Sequence, residues 1–265
     1  MTGAARLAGP PYPALLVNKA SIVDEVASWF LWLYQATGIK LTIFYDSYDR
    51  TRFLQGLGTT LKLSAYCLVA SVALGALLAG LTNSRSVVVR RAVAGFVQLF
   101  RNTPPLVQLY FFYFALGPVL PRIDGTPILG SFGWAVVSLT LLEAAFAAEI
   151  FRAGIEAVPK AMIEAAESLG YSRWQTYRRV VLPLAIRVTM PAMTNNLINL
   201  VKTTTLAYAI AVPELLYMSA QIWSEQVNVP AMMVVLLISY IAIVGIINQV
   251  MQWLEQRLRV PGFGQ

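Results

Sequence analysis

Histidine is absent from the 265 residues and cysteine occurs once, so the sequence offers little with which to build a catalytic or metal site. Without histidine, the chain lacks the commonest general base and the commonest metal ligand. The single cysteine, Cys67, cannot form a disulfide within the chain and lies in an apolar run, where we expect it to pack as a small apolar residue. No G-x-x-x-x-G-K-[ST] phosphate loop is present, which excludes a P-loop ATPase in this sequence.

Charged residues are also scarce, at 12%, while 57% of the residues are hydrophobic and the mean hydropathy is +0.63. Soluble domains have about 25% charged residues. Several uncharged runs reach the ~20 residues that cross a bilayer as a helix, and the alternation of a barrel strand is absent. The sequence therefore predicts an all-α integral membrane protein. The predicted spans are 63–84, 102–121, 125–151, 188–213 and 226–254.

The positions of lysine and arginine predict the orientation of these five spans. Basic residues follow spans one and three and occupy the tail, whereas the loops on the other side have one arginine at most. Because cytoplasmic loops are the basic ones, the N-terminus is predicted outside and the C-terminus inside. This distribution also explains the net charge of +7 without nucleic-acid binding.

The region before the first span is compatible with two topologies. Residues 26–45 are apolar and aromatic with scattered polar groups, which favours an interfacial or extracytoplasmic segment. A sixth span over 26–45 is the alternative, and it would move the N-terminus inside. The predicted organisation is an N-terminal segment (1–53), a transmembrane domain (54–258) and a cytoplasmic tail (259–265).

The cytoplasmic segment after span three has strong local signals. Pro159 should end the helix that leaves the membrane. Strong helix formers predict a short helix over 161–169, which Gly170 would end in a left-handed conformation. Ser172 can cap a second helix. We expect a compact two-helix element.

Within this element lies a spaced motif that resembles the EAA loop of the permease subunits of bacterial ABC importers. Its positions here are Glu164, Ala165, Ala166, Gly170, Val180, Leu182 and Pro183. The resemblance implies a coupling loop that docks in a groove of the ATPase. It implies that the two alanines allow close approach, that Glu164 makes polar contacts or braces the loop, and that Gly170 permits the turn. An ordinary amphipathic cytoplasmic loop is the alternative.

The resemblance covers about 54–258. Within the ABC importer permeases, it is most specific to those of polar amino-acid uptake systems, the histidine/glutamine/glutamate type. The segments that carry it are 58–61 (GTTL), 101–104 (RNTP), 148–155 (AEIFRAGI) and 212–216 (VPELL). In segment 202–206 (KTTTL), Thr203 stands where the family often has an acidic residue. The fold implied is the five-transmembrane-helix type I importer core.

The same resemblance implies an assembly in the bacterial cytoplasmic (inner) membrane. Its expected partners are an ABC ATPase subunit dimer, a second permease chain that is the same or homologous, an extracytoplasmic solute-binding protein and the lipid bilayer. No cofactor is expected in this chain, because ATP and Mg²⁺ would be bound by the partner ATPase. The chain is therefore expected to be a transport subunit, not an enzyme.

Charges inside the predicted spans are candidates for the substrate path. Lys202 would cost about 2.5–3.5 kcal/mol in lipid, so it should face protein or water. It either lines the path, with Asn196 and Thr205 in its polar neighbourhood, or pairs with a carboxylate of a neighbouring helix. Glu143 has no local partner and is a candidate for the path or for pairing with Lys202.

Three other charges near the end of span three have helical spacing. Glu149 lies three residues before Arg152, and Glu156 lies four residues after it. Side chains at these spacings meet on one face of a helix. We therefore predict structural ion pairs there.

Three rival functions remain. An ABC permease for a sugar, phosphate or peptide is disfavoured only by the amino-acid-type segments. A secondary transporter would couple to an ion through Glu143 or Lys202, and it would commonly have inverted repeats, which the sequence does not display. An intramembrane enzyme would need a nucleophile or metal constellation that the composition disfavours.

Overall fold

A computed structural model describes residues 22–258 of the chain. The predicted tail 259–265 and the first part of the predicted N-terminal segment, residues 1–21, lie outside the described residues. The α-helices are α1 (Ile22–Thr37), α2 (Thr42–Tyr45), α3 (Ser47–Leu81), α4 (Val87–Asn102), α5 (Pro105–Tyr110), α6 (Ser131–Glu156), α7 (Lys160–Ser168), α8 (Arg173–Thr176), α9 (Leu182–Thr203), α10 (Leu215–Gln226) and α11 (Val229–Leu258).

Irregular helical turns extend several of these helices. A π-helix (Phe111–Leu116) and a 3₁₀-helix (Gly117–Val119) continue α5. A second π-helix (Tyr177–Val181) joins α8 to α9, and a 3₁₀-helix (Thr204–Ile210) follows α9. Residues 22–258 are therefore all-α apart from one short hairpin, with β1 (Arg122–Ile123) antiparallel to β2 (Thr126–Pro127).

Within residues 22–258, three helices are long and apolar enough to cross a membrane: Ser47–Leu81, Ser131–Glu156 and Val229–Arg257. They coincide with predicted spans one, three and five. The other two predicted spans coincide with broken helical segments. Span two corresponds to the shorter apolar segment Pro105–Val119, and span four corresponds to α9 with its 3₁₀ extension.

Two predicted span boundaries differ from the ends of the helices in the structure. Span three does not begin at 125, because Asp124 (φ 48°) and Gly125 (φ 78°) form the two-residue turn of the hairpin and α6 begins at Ser131. Two positive φ angles in succession are typical of a tight hairpin turn, for which Asp-Gly is a favoured sequence. The helix that contains predicted span one begins earlier than 63, because α3 extends back to Ser47 and runs without interruption past residue 53.

α6 is the central helix of the described fold. Leu139 and the neighbouring small residues Ala144, Ala145 and Ala147 are all 0% exposed. α3 packs closely against it, because a Cβ on Gly75 would lie 2.6 Å from the Cβ of Ala147. The largest core cluster joins α3, α5, α6, α9 and the 3₁₀ segment after α9.

The helix that precedes the second predicted span, α4, is separate from α5. It ends at Asn102, and Pro104 precedes α5. The buried side chain of Gln108 closes this break, because its Nε2 donates to the carbonyl of Phe100 at 2.8 Å and to Thr103 Oγ1 at 2.6 Å. These bonds satisfy acceptors that the end of α4 would otherwise leave unpaired.

Before α3, the region 26–45 forms a helix, a linker and a single helical turn. α1 ends at Thr37, and Gly38 has a φ of 76°. The Phe30 and Phe44 rings stack at 4.0 Å between centroids, so α1 folds back on α2. α1 is not among the three helices that could span a membrane within the described residues.

Candidate functional site

Segment 152–183, hereafter the coupling loop after the role that the motif resemblance implies, has the predicted two-helix form. α7 runs from Lys160 to Ser168 after Pro159, and Gly170, just beyond its C-cap residue Leu169, has a φ of 84°. The Gly170 amide donates to the Glu167 carbonyl at 2.9 Å, and the Tyr171 amide donates to the Ala166 carbonyl at 3.2 Å. This pair of bonds is the Schellman motif, which needs a left-handed residue at this position. The prediction of a glycine-terminated helix is confirmed.

Ser172 starts the second helix of the loop, as the sequence predicted. Its Oγ accepts from the Gln175 amide at 3.3 Å, and the Gln175 side chain accepts from the Ser172 amide at 2.9 Å. The reciprocal pair is a capping box. The second π-helix (Tyr177–Val181) comes next and ends shortly before Pro183. Pro183 has no N–H to donate to the preceding helical turn. The chain therefore passes from α8 into α9 through a π-helical turn.

The coupling loop packs against the end of α6 and the start of α9. Val158, Val181 and Ala185 are buried together, with Ile155 and Ile163 packed against them. Gly154 of α6 faces α9 so closely that a Cβ there would overlap the Thr189 side chain and lie 3.0 Å from the Ala185 carbonyl. The loop therefore packs directly against both α6 and α9.

The outer side of the loop presents the motif residues and several large apolar side chains. Glu164 and Ala165 are exposed, Ala166 is buried, and Leu182 and Pro183 begin α9. Leu169 is 79% exposed and Trp174 is 67% exposed. A groove of about 400 Å³ runs between α7 and the start of α9. The Leu169 and Trp174 side chains are both available to contact a partner protein.

The spaced charges of α6 form a connected group. Arg152 Nη2 lies 2.8 Å from Glu149 Oε2, and Arg152 Nη1 lies 2.8 Å from Glu156 Oε1. Arg101 of α4 also lies 3.7 Å from Glu149. The group thus links the end of α4 to the end of α6, a contact that spacing within α6 could not indicate.

Glu143 is buried between α6 and its neighbours, with 3% exposure. The Asn196 side chain of α9 lies beside its carboxyl group, and Cys67 of α3 is also near. Glu143 Oε2 has no hydrogen-bond partner within the part of the chain that the structure describes. The structure therefore brings together two of the four predicted path residues, Glu143 and Asn196.

Lys202 does not lie in the middle of a continuous helix, as the sequence suggested. It lies in the last turn of α9, and the backbone continues as a 3₁₀-helix in which Thr205 Oγ1 donates to the Lys202 carbonyl at 2.7 Å. Its side chain is exposed on this chain and forms no ion pair with Glu143 or any other carboxylate of residues 22–258. The suggested structural pair within the chain is therefore not found among those residues.

Glu214 is a further functional candidate, and it belongs to segment 212–216 of the motif resemblance. It is completely buried and caps α10 by accepting from the amides of Leu216 at 2.9 Å and Tyr217 at 2.7 Å. The Tyr240 hydroxyl of α11 donates to the same carboxyl group at 3.2 Å. Thr60 Oγ1 of α3 accepts from the adjacent Leu215 amide at 3.0 Å. Glu214 thus lies where three helices meet.

Arg52 and Glu225 form a second connection that the sequence did not indicate. Arg52 of α3 is 8% exposed, and its Nη1 lies 2.6 Å from Glu225 Oε2 on α10. Arg52 Nη2 also donates to Gln221 at 3.0 Å. The hydrogen-bonded Arg52 guanidinium holds the pKa of Glu225 below its ordinary value. Because the partners are far apart in sequence, no local spacing could have indicated the pair.

A family model described as "Binding-protein-dependent transport system inner membrane component" matches residues 71–260. The probable amino-acid ABC transporter permease PatM of Vibrio harveyi is 33% identical over 77% of this chain and 91% of that protein. The histidine/lysine/arginine/ornithine permease HisM of Salmonella typhimurium is 33% identical over 88% of this chain and 97% of that protein.

Solved structures have the same fold. A chain of an amino acid ABC transporter crystallised with histidines is 26% identical, with a TM-score of 0.72 over 86% of this chain and 98% of that one. A chain of the MetNI methionine ABC transporter is 23% identical, with a TM-score of 0.59 over 78% and 94%. At 23% identity, the similarity to the MetNI chain indicates a shared fold only.

Proposed function

Because the chain belongs to the family of binding-protein-dependent transport system inner membrane components, we propose that it forms the membrane path of an ATP-driven importer for a polar amino acid or a close derivative. The family places the chain in the inner membrane as a multi-pass transport subunit, and such subunits act with an ATPase and a solute-binding protein. In this proposal α3, the α5 segment, α6, α9 and α11 form a five-helix permease core, which is supported by the fold that the chain shares with the amino acid ABC transporter chain.

The observation that carries the proposal is the surface of the coupling loop. Leu169 and Trp174 are exposed, and the fixed turn at Gly170 sets their position. The loop is also packed on α6 and α9, so force applied to it reaches the membrane helices. We propose that an ATPase dimer binds this surface, holds ATP and Mg²⁺ itself, and moves the loops of two permease chains, identical or homologous.

The amino-acid assignment rests on the named relatives. The permeases of the histidine/lysine/arginine/ornithine system and of PatM align over most of their length with this chain. Substrate chemistry can differ between relatives at this level of identity, so the identity of the amino acid is part of the proposal. A permease for another small solute is the alternative.

The path itself is proposed from unpaired polar groups. The exposed ammonium group of Lys202 has no carboxylate partner in the described range, and Thr205 is half-buried one turn later. Both would lie toward the path or a partner chain, since a lysine facing lipid is costly. Glu143 and Asn196 lie deeper and would support the path from within. The N-terminus is proposed outside and the C-terminus inside, by the positive-inside rule.

Proteoliposomes that contain this chain, its companion permease if there is one, its ATPase and its binding protein would test the proposal. We expect ATP-dependent uptake of one class among acidic, basic and neutral polar amino acids, and no uptake of a control sugar. Uptake of the sugar would retain the coupling and overturn the substrate. Uptake that persists without the ATPase and stops when an ion gradient is removed would overturn the whole proposal.

A further inference from the structure

A groove separates the linker between α1 and α2 from the start of α11. This groove, hereafter the linker groove, has a volume of about 570 Å³. Its lining includes Ile39, Lys40, Leu41, Asn228, Ala231 and Val234. Most of these side chains are apolar, and the two polar ones come from opposite sides of the groove. A mainly apolar groove with a few polar groups is typical of a small-molecule site.

Lys40 supplies a positive charge to the linker groove. Its Nζ lies 3.4 Å from the Gln226 carbonyl and 5.7 Å from the centre of the Tyr34 ring. It forms no ion pair with a carboxylate of residues 22–258. An ammonium group has three N–H donors, and one long hydrogen bond leaves most of its capacity free. The groove can therefore bind an anion.

Asn228 supplies an unused acceptor. It is 4% exposed, and its Nδ2 donates to the Lys40 carbonyl at 3.0 Å. This bond fixes the orientation of the amide, and Oδ1 is left buried with no hydrogen-bond partner in the described part of the chain. An orphaned buried acceptor is costly, so a bound group with a hydroxyl or N–H donor would stabilise the site.

The linker groove lies at one end of the membrane-crossing helix α11, whose apolar span begins at Val229. From Val234 a row of exposed apolar side chains continues along α11 through Leu237, Ile238 and Ile241. On the other side, α1 carries Trp29 and Tyr34, residue types that are enriched at the level of lipid headgroups. A polar ligand at Lys40 could therefore continue as an apolar chain along α11.

We propose that the linker groove binds a phospholipid whose headgroup carries a hydrogen-bond donor, such as phosphatidylglycerol or phosphatidylethanolamine. The phosphate lies at the Lys40 ammonium group, the headgroup hydroxyl or ammonium donates to Asn228 Oδ1, and an acyl chain follows the apolar row of α11. Phosphatidylcholine has the phosphate but no donor, so it satisfies Lys40 and not Asn228. The proposal concerns lipid binding and does not depend on which solute is transported.

Native mass spectrometry of the full chain in detergent, with each of the three lipids added separately, tests this proposal. We expect the wild-type chain to retain phosphatidylglycerol and phosphatidylethanolamine several-fold more than phosphatidylcholine. Lys40→Gln should lower retention of phosphatidylglycerol about tenfold, the usual value of one charge-assisted hydrogen bond. Lys62→Gln, which changes an exposed lysine of α3 outside the groove, should leave retention unchanged.

A second variant separates the groove from the charge. Ala231→Phe would fill the apolar part of the groove and should remove binding of all three lipids. Equal retention of the three lipids by the wild-type chain would overturn the proposal, as would unchanged retention in Ala231→Phe. If Ala231→Phe instead altered the oligomeric state with lipid retention unchanged, the groove would be a protein interface and the proposal would be wrong.

Discussion

Gly154 of α6 and Thr189 of α9 pack in direct contact, with no room for a methyl group between the two helices. The contact lies beside the cluster that holds the coupling loop, which includes Ala185 one turn before Thr189. The membrane end of the loop is therefore held by backbone approach as well as by side-chain packing.

Gly154→Ala should destabilise the protein by about 1–3 kcal/mol, the usual cost of overpacking. Thermal unfolding in detergent measures the change. Thr189→Ser removes the methyl group that the new side chain would meet, so the double variant should recover part of the loss. Gly95→Ala is the matched control, because no atom outside its own helix lies within 4 Å of a Cβ at this position. A Gly154→Ala protein as stable as wild type would contradict the close contact.

Gly170→Val should uncouple transport from ATP hydrolysis. The left-handed conformation costs an L-residue about 1–2 kcal/mol and a β-branched one more, so the turn that positions Leu169 and Tyr171 should distort. We expect the variant to insert normally and to lose substrate-stimulated hydrolysis by its partner ATPase. Gly125→Val imposes the same strain in the hairpin and should retain stimulation. Unchanged stimulation in Gly170→Val would remove the coupling loop from its proposed role.

Leu169→Asp should weaken ATPase binding without unfolding the chain, because the side chain is 79% exposed here. The substitution removes the free energy gained by burying a leucine in the interface, about 1.5–3 kcal/mol, and so lowers the affinity roughly tenfold or more. Copurification of the ATPase measures it. Val88→Asp is the control, since Val88 is similarly exposed in the first turn of α4. Equal losses in both variants would indicate a general charge effect and not a docking surface.

The Arg52–Glu225 pair should give stability that depends on pH. Because the pKa of Glu225 is lowered in the folded chain, its contribution is present above the ordinary glutamate pKa of about 4.3 and is lost as the pH falls through the lowered value. Glu225→Gln should therefore lower the unfolding temperature at pH 7, and the difference from wild type should shrink in acid. A difference that stays constant with pH would mean that the pair contributes nothing through its charge.

Lys202→Gln tests the proposed path. If the ammonium group faces the path, we expect uptake in proteoliposomes to fall about tenfold while ATPase binding and the unfolding temperature are unchanged, as for loss of one charged hydrogen bond. Lys202→Arg retains the charge and should keep much of the uptake. Uptake by Lys202→Gln at the wild-type rate would place Lys202 outside the path.

The coupling loop was predictable because its signals are local. Pro159, Gly170 and Ser172 each act through the backbone of their own turn, so the sequence alone placed both helices. The break after Thr203 was not predictable, because no proline or glycine interrupts that run. Lys202 was therefore placed at mid-helix, and its actual position in the last turn became visible only in the structure.

The connections around α10 depend on the tertiary structure. Arg52 meets Glu225 only because α3 and α10 pack side by side. The first span was predicted to begin at 63 because the uncharged run begins after Lys62, whereas the helix that contains it extends back to Ser47. The hairpin at Asp124 and Gly125, in contrast, could have been predicted, because Asp-Gly is a favoured hairpin-turn sequence. The uncharged run that follows led instead to a predicted span that began at Gly125.

The close fit of α3 against α6 limits how these two helices can change over evolution. A Cβ at Gly75 would lie 2.6 Å from that of Ala147, and 3.1 Å from the backbone nitrogen of Ala148. A larger residue at 75 cannot be accommodated by shrinking a side chain alone, because part of the obstacle is backbone. A larger residue here therefore requires a shift of one whole helix, and position 75 should stay glycine.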